Sequence, residues 1–282
     1  MTATEVRYGK AHVVLYRFGG PSVVPFAAAV DIDVFGKRFL AAYTEGDNRE
    51  VVATDTMKNF IYAKAAEYAG STLTGLCAFL GRCFLETYPV MEMLRVSAGE
   101  IPLDAAAGER GPSAVLFRST RRDHAVAEVT LSGEDGAPQI TGARSGWVGM
   151  RLVKTTGSSF AAFARDAFTS LPELADRPLT IELDARWRYA DVRDGIGEGP
   201  RMLGPRAVRD EIERTFSEFR SRSIQHLLHE IGVRLLDAHA QLAEIEFSAD
   251  NHTPDLVTEA GGTKVFAEPR PTFGRIGLLL RR

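Results

Sequence analysis

Residues 51–59, VVATDTMKN, place Thr54 and Asp55 between an apolar stretch and the first turn of a helical pattern. Side chains of this type accept hydrogen bonds from the unpaired N–H groups at a helix start. One reading is therefore capping, with Asp55 also complementing the helix dipole. The other is a polar site at a helix N-terminus, suited to an anionic ligand. Residues 154–177, KTTGSSFAAFARDAFTSLPELADR, are dense in Ser, Thr and Gly and then turn aromatic. His226 and His229 stand three apart on a helical pattern and could share a metal, but no third ligand is in view, and a solvated or core-edge pair is the simpler reading. Cys77 and Cys83, on different faces of one expected helix, read as packed thiols rather than a disulfide or metal site.

These residues need elements to position them. Period-two apolar patterning marks residues 23–34 and 39–43 as strands. A helix pattern follows over 56–68, with Met57, Ile61, Ala65 and Tyr68 on one face and Gly70 as its stop. A second helix covers 73–87, with Leu76, Leu80 and Phe84 apolar. Strands are expected near 91–97, 114–118 and 126–131, with 97–112, rich in Gly, Ala and Pro, as a loop. The second half reads as strands at 139–153 and 179–189, a loop at 194–205, and helices at 206–219 and 224–239. Ser223 is a good N-cap for the last of these. Strands at 244–248, 264–267 and 275–280 complete it. Both halves read strand, strand, helix, helix, strand, strand. This is a repeat of order without visible sequence identity, and it predicts an α+β class with domains at 1–137 and 138–282.

The bulk properties fit that reading. The chain has 282 residues, 45% hydrophobic and 25% charged, with a net charge of −3. Nothing is basic enough to make nucleic acid a main partner, and no apolar run is long enough to cross a membrane. The first ten residues lack the apolar core of a signal peptide, and a cytoplasmic location is the expectation.

Taken in order, several segments resemble the urate oxidase (uricase) family: YGK at 8–10, YTEGDN at 43–48, VVATDTMKN at 51–59, LVKTTGSSFAAFARDAFTSLPELADR at 152–177, ARWRY at 185–189 and SRSIQ at 221–225. The resemblance spans nearly the whole chain. It implies two tandem tunnelling-fold (ββααββ) domains, with antiparallel sheets and helices on one face. It also implies oxidation of urate by dioxygen, in purine degradation, with no cofactor and no metal. Lys10 then matches the catalytic lysine, Thr54 the threonine that hydrogen-bonds it, and Asp55 the adjacent ligand contact. Phe160 matches the aromatic that stacks on the purine, and Arg177 and Gln225 the pair that grips opposite ring edges. Ile224 stands where valine is usual, its backbone still meeting ligand. The implied assembly is a homotetramer around a central tunnel, with Lys10 and Thr54 facing Phe160, Arg177 and Gln225 of another subunit.

The chain departs from the family pattern at SADNHTPDL, residues 248–256, where His252 stands three residues before Asp255 and the loop is shortened. In an extended stretch residues i and i+2 share a face, so Asp250 and His252 would face the site together. Alternatively Asn251 keeps the family's asparagine role, and Asn251 and His252 point apart unless the chain bulges. Residues 108–119, GERGPSAVLFRS, replace a His- and Trp-containing segment of the family. Three functions stay open: urate oxidation, a cofactor-free oxygenase on another purine-like heterocycle, and a purine-binding protein without oxygen chemistry. Retention of both Lys10 and Thr54 argues against the last.

Overall fold

The computed structural model describes residues 6–19, 24–119, 121–133, 137–197, 199–268 and 271–282. Strands β1 (Arg7–Arg17) and β2 (Phe26–Phe35) open the chain as an antiparallel pair, Arg7 opposite Phe35 and Arg17 opposite Phe26. The register slips between Lys10 and Val13, and His12 sits there at φ +57°. A bulge of this kind breaks the two-residue period, and for this reason β1 has no clean alternation in the sequence. Val23, the first residue of the expected 23–34 strand, lies outside the described residues. Residues 39–43 are not a strand: α1 (Leu40–Thr44) is a short helix, favoured by its Leu-Ala-Ala core.

Helices α2 (Thr54–Glu67) and α3 (Leu73–Thr87) follow. Met57, Ile61 and Ala65 are the buried stripe of α2, while Leu76, Leu80 and Phe84 face inward from α3. The chain continues through β3 (Met93–Glu100), β4 (Asp104–Gly108), β5 (Gly111–Arg118) and β6 (His124–Ser132). β3 pairs antiparallel with β2 and with β6, and α3 packs on β3 and β6. Val30, Ile32 and Val34 on β2 and Leu94 and Val96 on β3 are fully buried, giving the sheet one apolar face for its helices. The expected 97–112 loop is corrected: β3 runs on to Glu100, and β4 forms a hairpin with β5. No residue of β4 is buried, so burial imposed no pattern on its sequence.

Next come β7 (Gln139–Lys154), β8 (Leu179–Tyr189), α4 (Val192–Gly195), α5 (Pro205–Glu218), α6 (Ile224–Ala238), β9 (Leu242–His252), β10 (Leu256–Ala260), β11 (Thr263–Phe266) and β12 (Gly274–Arg281). α4 and β10 fall where the sequence pattern predicted no element. β9 pairs antiparallel with β12, α6 packs on both, and β10 and β11 form a separate hairpin. Trp147, Trp187, Ile231 and Leu235 are completely buried here. The chain forms two compact units, Met1–Ser145 with Arg188–Met202, and Gly146–Trp187 with Leu203–Arg282.

The repeat goes deeper than element order. α3 and α6 each have 15 residues, with glycine at the ninth, Gly81 and Gly232. A Cβ on Gly81 would stand 2.3 Å from Leu131 Cδ1 of β6, and one on Gly232 2.4 Å from Leu280 Cδ1 of β12. α3 and α6 are thus each seated on a sheet strand, β6 and β12, through a glycine. A hairpin also precedes each of these strands.

Candidate active site

The first unit carries Lys10, Thr54 and Asp55. The Tyr8 hydroxyl accepts a hydrogen bond from the Val52 N–H at 2.9 Å, and the Tyr8 ring meets Phe39 edge-on. Burial raises the Tyr8 pKa. Tyr8 stands two residues before Lys10, and Val52 two before Thr54, so this bond ties the Lys10 strand to the start of α2. Gly9 between them has no alternative: a Cβ there would lie 2.0 Å from the Ile32 carbonyl oxygen. Lys10 is half-buried and ends the regular pairing before the bulge.

The capping reading of Thr54 and Asp55 is corrected. The N-cap is Ala53, with no side-chain cap bond, and Thr54 is the first helical residue. Asp55 is exposed and ion-pairs with Lys58 at 2.5 Å. That hydrogen bond and the Lys58 charge hold its carboxyl below the usual range, with a smaller contribution from Lys10.

The second unit gathers Phe160, Arg177, Ile224 and Gln225. Phe160 and Leu174 exchange backbone hydrogen bonds, both at 2.9 Å, so the 160–174 segment closes on itself. The Arg177 guanidinium then lies 5.3 Å from the centre of the Phe160 ring, within cation–π range. Phe163 stacks on Phe160 at 4.8 Å and 12°, carried there by Ala162 at φ +56°. Arg177 is only 8% exposed, and its buried Nε has no hydrogen-bond partner among the described residues. Burial lowers its pKa. A buried guanidinium without a carboxylate is an unmet demand for an anionic or carbonyl edge.

The SRSIQ run joins this group through serines. The Ser158 and Ser221 side chains, both buried, hydrogen-bond at 3.2 Å, and the Ser159 N–H donates to the Ser221 carbonyl at 2.9 Å. Ser223 caps α6 as expected, accepting from the His226 N–H at 3.1 Å. Ile224 is buried as the first helical residue, and Gln225 is exposed on the first turn. His226 is absorbed locally: its Nδ1 accepts from the Arg222 N–H at 3.3 Å, and its ring meets Phe219. Ser158 and Ser221 lie inside the motif runs, but their hydroxyls gave no signal distinct from the other serines there. Cys77 is buried and Cys83 half-buried, both as free thiols.

At the end of β9, Asp250 pairs with Arg275 across the strands at 3.1 Å. Asn251 lines a cavity of about 400 Å³ with Ser170, Leu171, Thr253, Asp255 and Phe273. Its buried Oδ1 has no partner among the described residues, nor has Nε2 of His252, whose ring lies 5.0 Å from that of Phe273. These two unmet polar atoms call for water or a ligand.

The chain matches the family model described as Uricase over residues 6–129 and 143–276. The chain belongs to the uricase family. All ten candidate positions fall within the uricase match. A uricase of Haloferax volcanii is 40% identical over 95% of this chain and 96% of its own. A bifunctional uric acid degradation protein of a Bacillus species (strain TB-90) is 36% identical over 95% of this chain, which spans 58% of that relative. Among solved structures, the TB-90 urate oxidase superposes with a TM-score of 0.94 at 34% identity, over 98% of this chain and 100% of that one. The uricase of Arthrobacter globiformis gives 0.88 at 28% identity, over 100% and 95%. The uricase resemblance and its α+β tunnelling fold both stand.

Proposed function

We propose that the protein oxidises urate with dioxygen, yielding 5-hydroxyisourate and hydrogen peroxide, in purine degradation. The observation that carries this reading is the buried Arg177 guanidinium beside Phe160, its Nε without a hydrogen-bond partner among the described residues, joined by the Ser158–Ser221 pair to the helix start bearing Gln225. Urate is a flat anionic ring. Arg177 pairs with one edge, the Gln225 amide donates and accepts on the opposite edge, and Phe160 offers a face. Ile224 presents backbone to the ring. Lys10 acts as base, with the Thr54 hydroxyl relaying a proton to it and Asp55 flanking them.

Loss of a further proton makes the ring electron-rich enough to reduce dioxygen directly. Dioxygen takes two electrons and two protons and leaves as peroxide, and water supplies the new hydroxyl on the ring. In this reading Asn251 rather than Asp250 faces the oxygen and water end, with His252 orienting the water. The unpaired Asn251 Oδ1 on the cavity and the engagement of Asp250 by Arg275 support that assignment. The working form is a homo-oligomer, a tetramer by family resemblance, whose sites combine the first unit of one subunit with the second unit of another.

The test is anaerobic-to-aerobic mixing with urate after exhaustive chelation, following ultraviolet absorbance and peroxide. Oxygen-dependent loss of urate with matching peroxide is expected. Activity abolished by chelator and restored by added metal would sink the cofactor-free mechanism.

A further inference from the structure

The carboxylate just before Arg177 has a role of its own. Asp176 accepts from the Thr156 hydroxyl at 2.5 Å, from the Gly157 N–H at 2.7 Å and from the Ser158 N–H at 3.3 Å. The hydrogen bond from Thr156, with those from the two N–H groups, holds the Asp176 carboxyl below its usual range. The turn that it clamps places Gly157 at φ +79°, which favours glycine, and a Cβ there would stand 3.2 Å from Lys154 Cε.

The same turn meets both flanks of the ring-gripping group. Its Ser158 carbonyl accepts from the Arg177 N–H at 2.8 Å. Its Gly157 carbonyl accepts from the Ser221 N–H at 3.1 Å, and the Ser158 hydroxyl meets that of Ser221. From the end of β7, Lys154 Nζ donates to the Phe216 and Phe219 carbonyls, both at 2.8 Å, fixing the C-terminal end of α5 just before Ser221. Asp176 is exposed, so the clamp contributes little to the core.

We infer that Asp176 is a positioning residue: its carboxylate sets the turn Thr156–Ser158, and the turn sets Arg177 on one flank and the α6 start with Gln225 on the other. The inference rests on the reading of this group as the ring pocket. Neither Asp176 nor Thr156 needs to touch the ring.

Asp176→Ala is expected to raise KM for urate about tenfold while kcat changes less than about threefold, because Lys10 and Thr54 stand on the other unit. Thr156→Val, which removes one donor, should move KM the same way by less, and Thr156→Ser should restore it. Hydrogen–deuterium exchange, read without substrate, should quicken in Asp176→Ala both at residues 156–160 and at residues 221–225. Unchanged KM in both Asp176→Ala and Thr156→Val, or faster exchange confined to residues 156–160, overturns the inference. A wild-type protein that leaves urate untouched defeats the proposed function, and the exchange result then decides the positioning role by itself. If Asp176→Ala does not fold, Thr156→Val and its serine rescue carry the test.

Discussion

In the proposed mechanism Lys10 and Arg177 ask for different kinetic signatures. A base acts on the transition state, so Lys10→Met should lower kcat by about 10²–10⁴ while urate still binds. Arg177→Ala removes a grip shared by ground and transition states, so it should chiefly raise KM. Steady-state kinetics with a binding assay separate the two, and unchanged turnover in Lys10→Met would remove that residue from the mechanism. At the shortened loop, Asp250→Asn should leave turnover nearly unchanged, because the carboxylate answers Arg275 rather than the cavity. Asn251→Ala should be damaging, since its Oδ1 is the buried polar atom on that cavity. The reverse pattern would place Asp250 in the site. The sequence left this choice open because alternation along a strand does not say which face meets what; the partner Arg275 lies 25 positions away. The same limit held at Thr54. Both Thr and Asp are good cap residues, and only the backbone showed Ala53 in the cap position. By contrast, the gathering of Phe160, Arg177 and the SRSIQ run was carried by long, specific motifs.

At the scale of elements, legibility followed burial. The span of α3 and that of β8 are readable to the residue because one face of each is apolar throughout. β4 and β10 have no buried residue, so nothing constrained their period. β1 was hidden by its bulge, yet it carries Lys10, and the YGK run has a structural cause in Gly9. Its missing Cβ lets β1 lie against the Ile32 carbonyl, which as backbone cannot swing aside. Gly9→Ala should therefore push β1 off β2 beside Lys10, at a cost of about 1–3 kcal/mol by analogy with overpacking. Thermal denaturation should show the loss, and turnover should fall with it as Lys10 moves. A variant with unchanged midpoint and activity would show that the strand pair yields easily there.

At the scale of the molecule, the residues of the proposed site are divided between the two units. The first holds Lys10 and Thr54, and the second holds Phe160, Arg177, Gln225 and Asn251. Symmetric closure is the usual outcome for soluble oligomers. If each site combines the first unit of one subunit with the second unit of another, Lys10→Met and Arg177→Ala subunits, assayed at urate far below the raised KM of the latter, are each close to silent through a different half. Unfolded together in equal amounts and reassembled at random, they should form some sites whose halves are both intact. Such a site needs its first unit from an Arg177→Ala subunit and its second from a Lys10→Met subunit. The recovered turnover should approach about one quarter of that of the parent protein, each half being wild-type half the time. Separately reassembled variants, mixed afterwards without exchange, should recover nothing. Turnover in the co-assembled sample no higher than the mean of the two variants would mean that both halves of each site come from one chain.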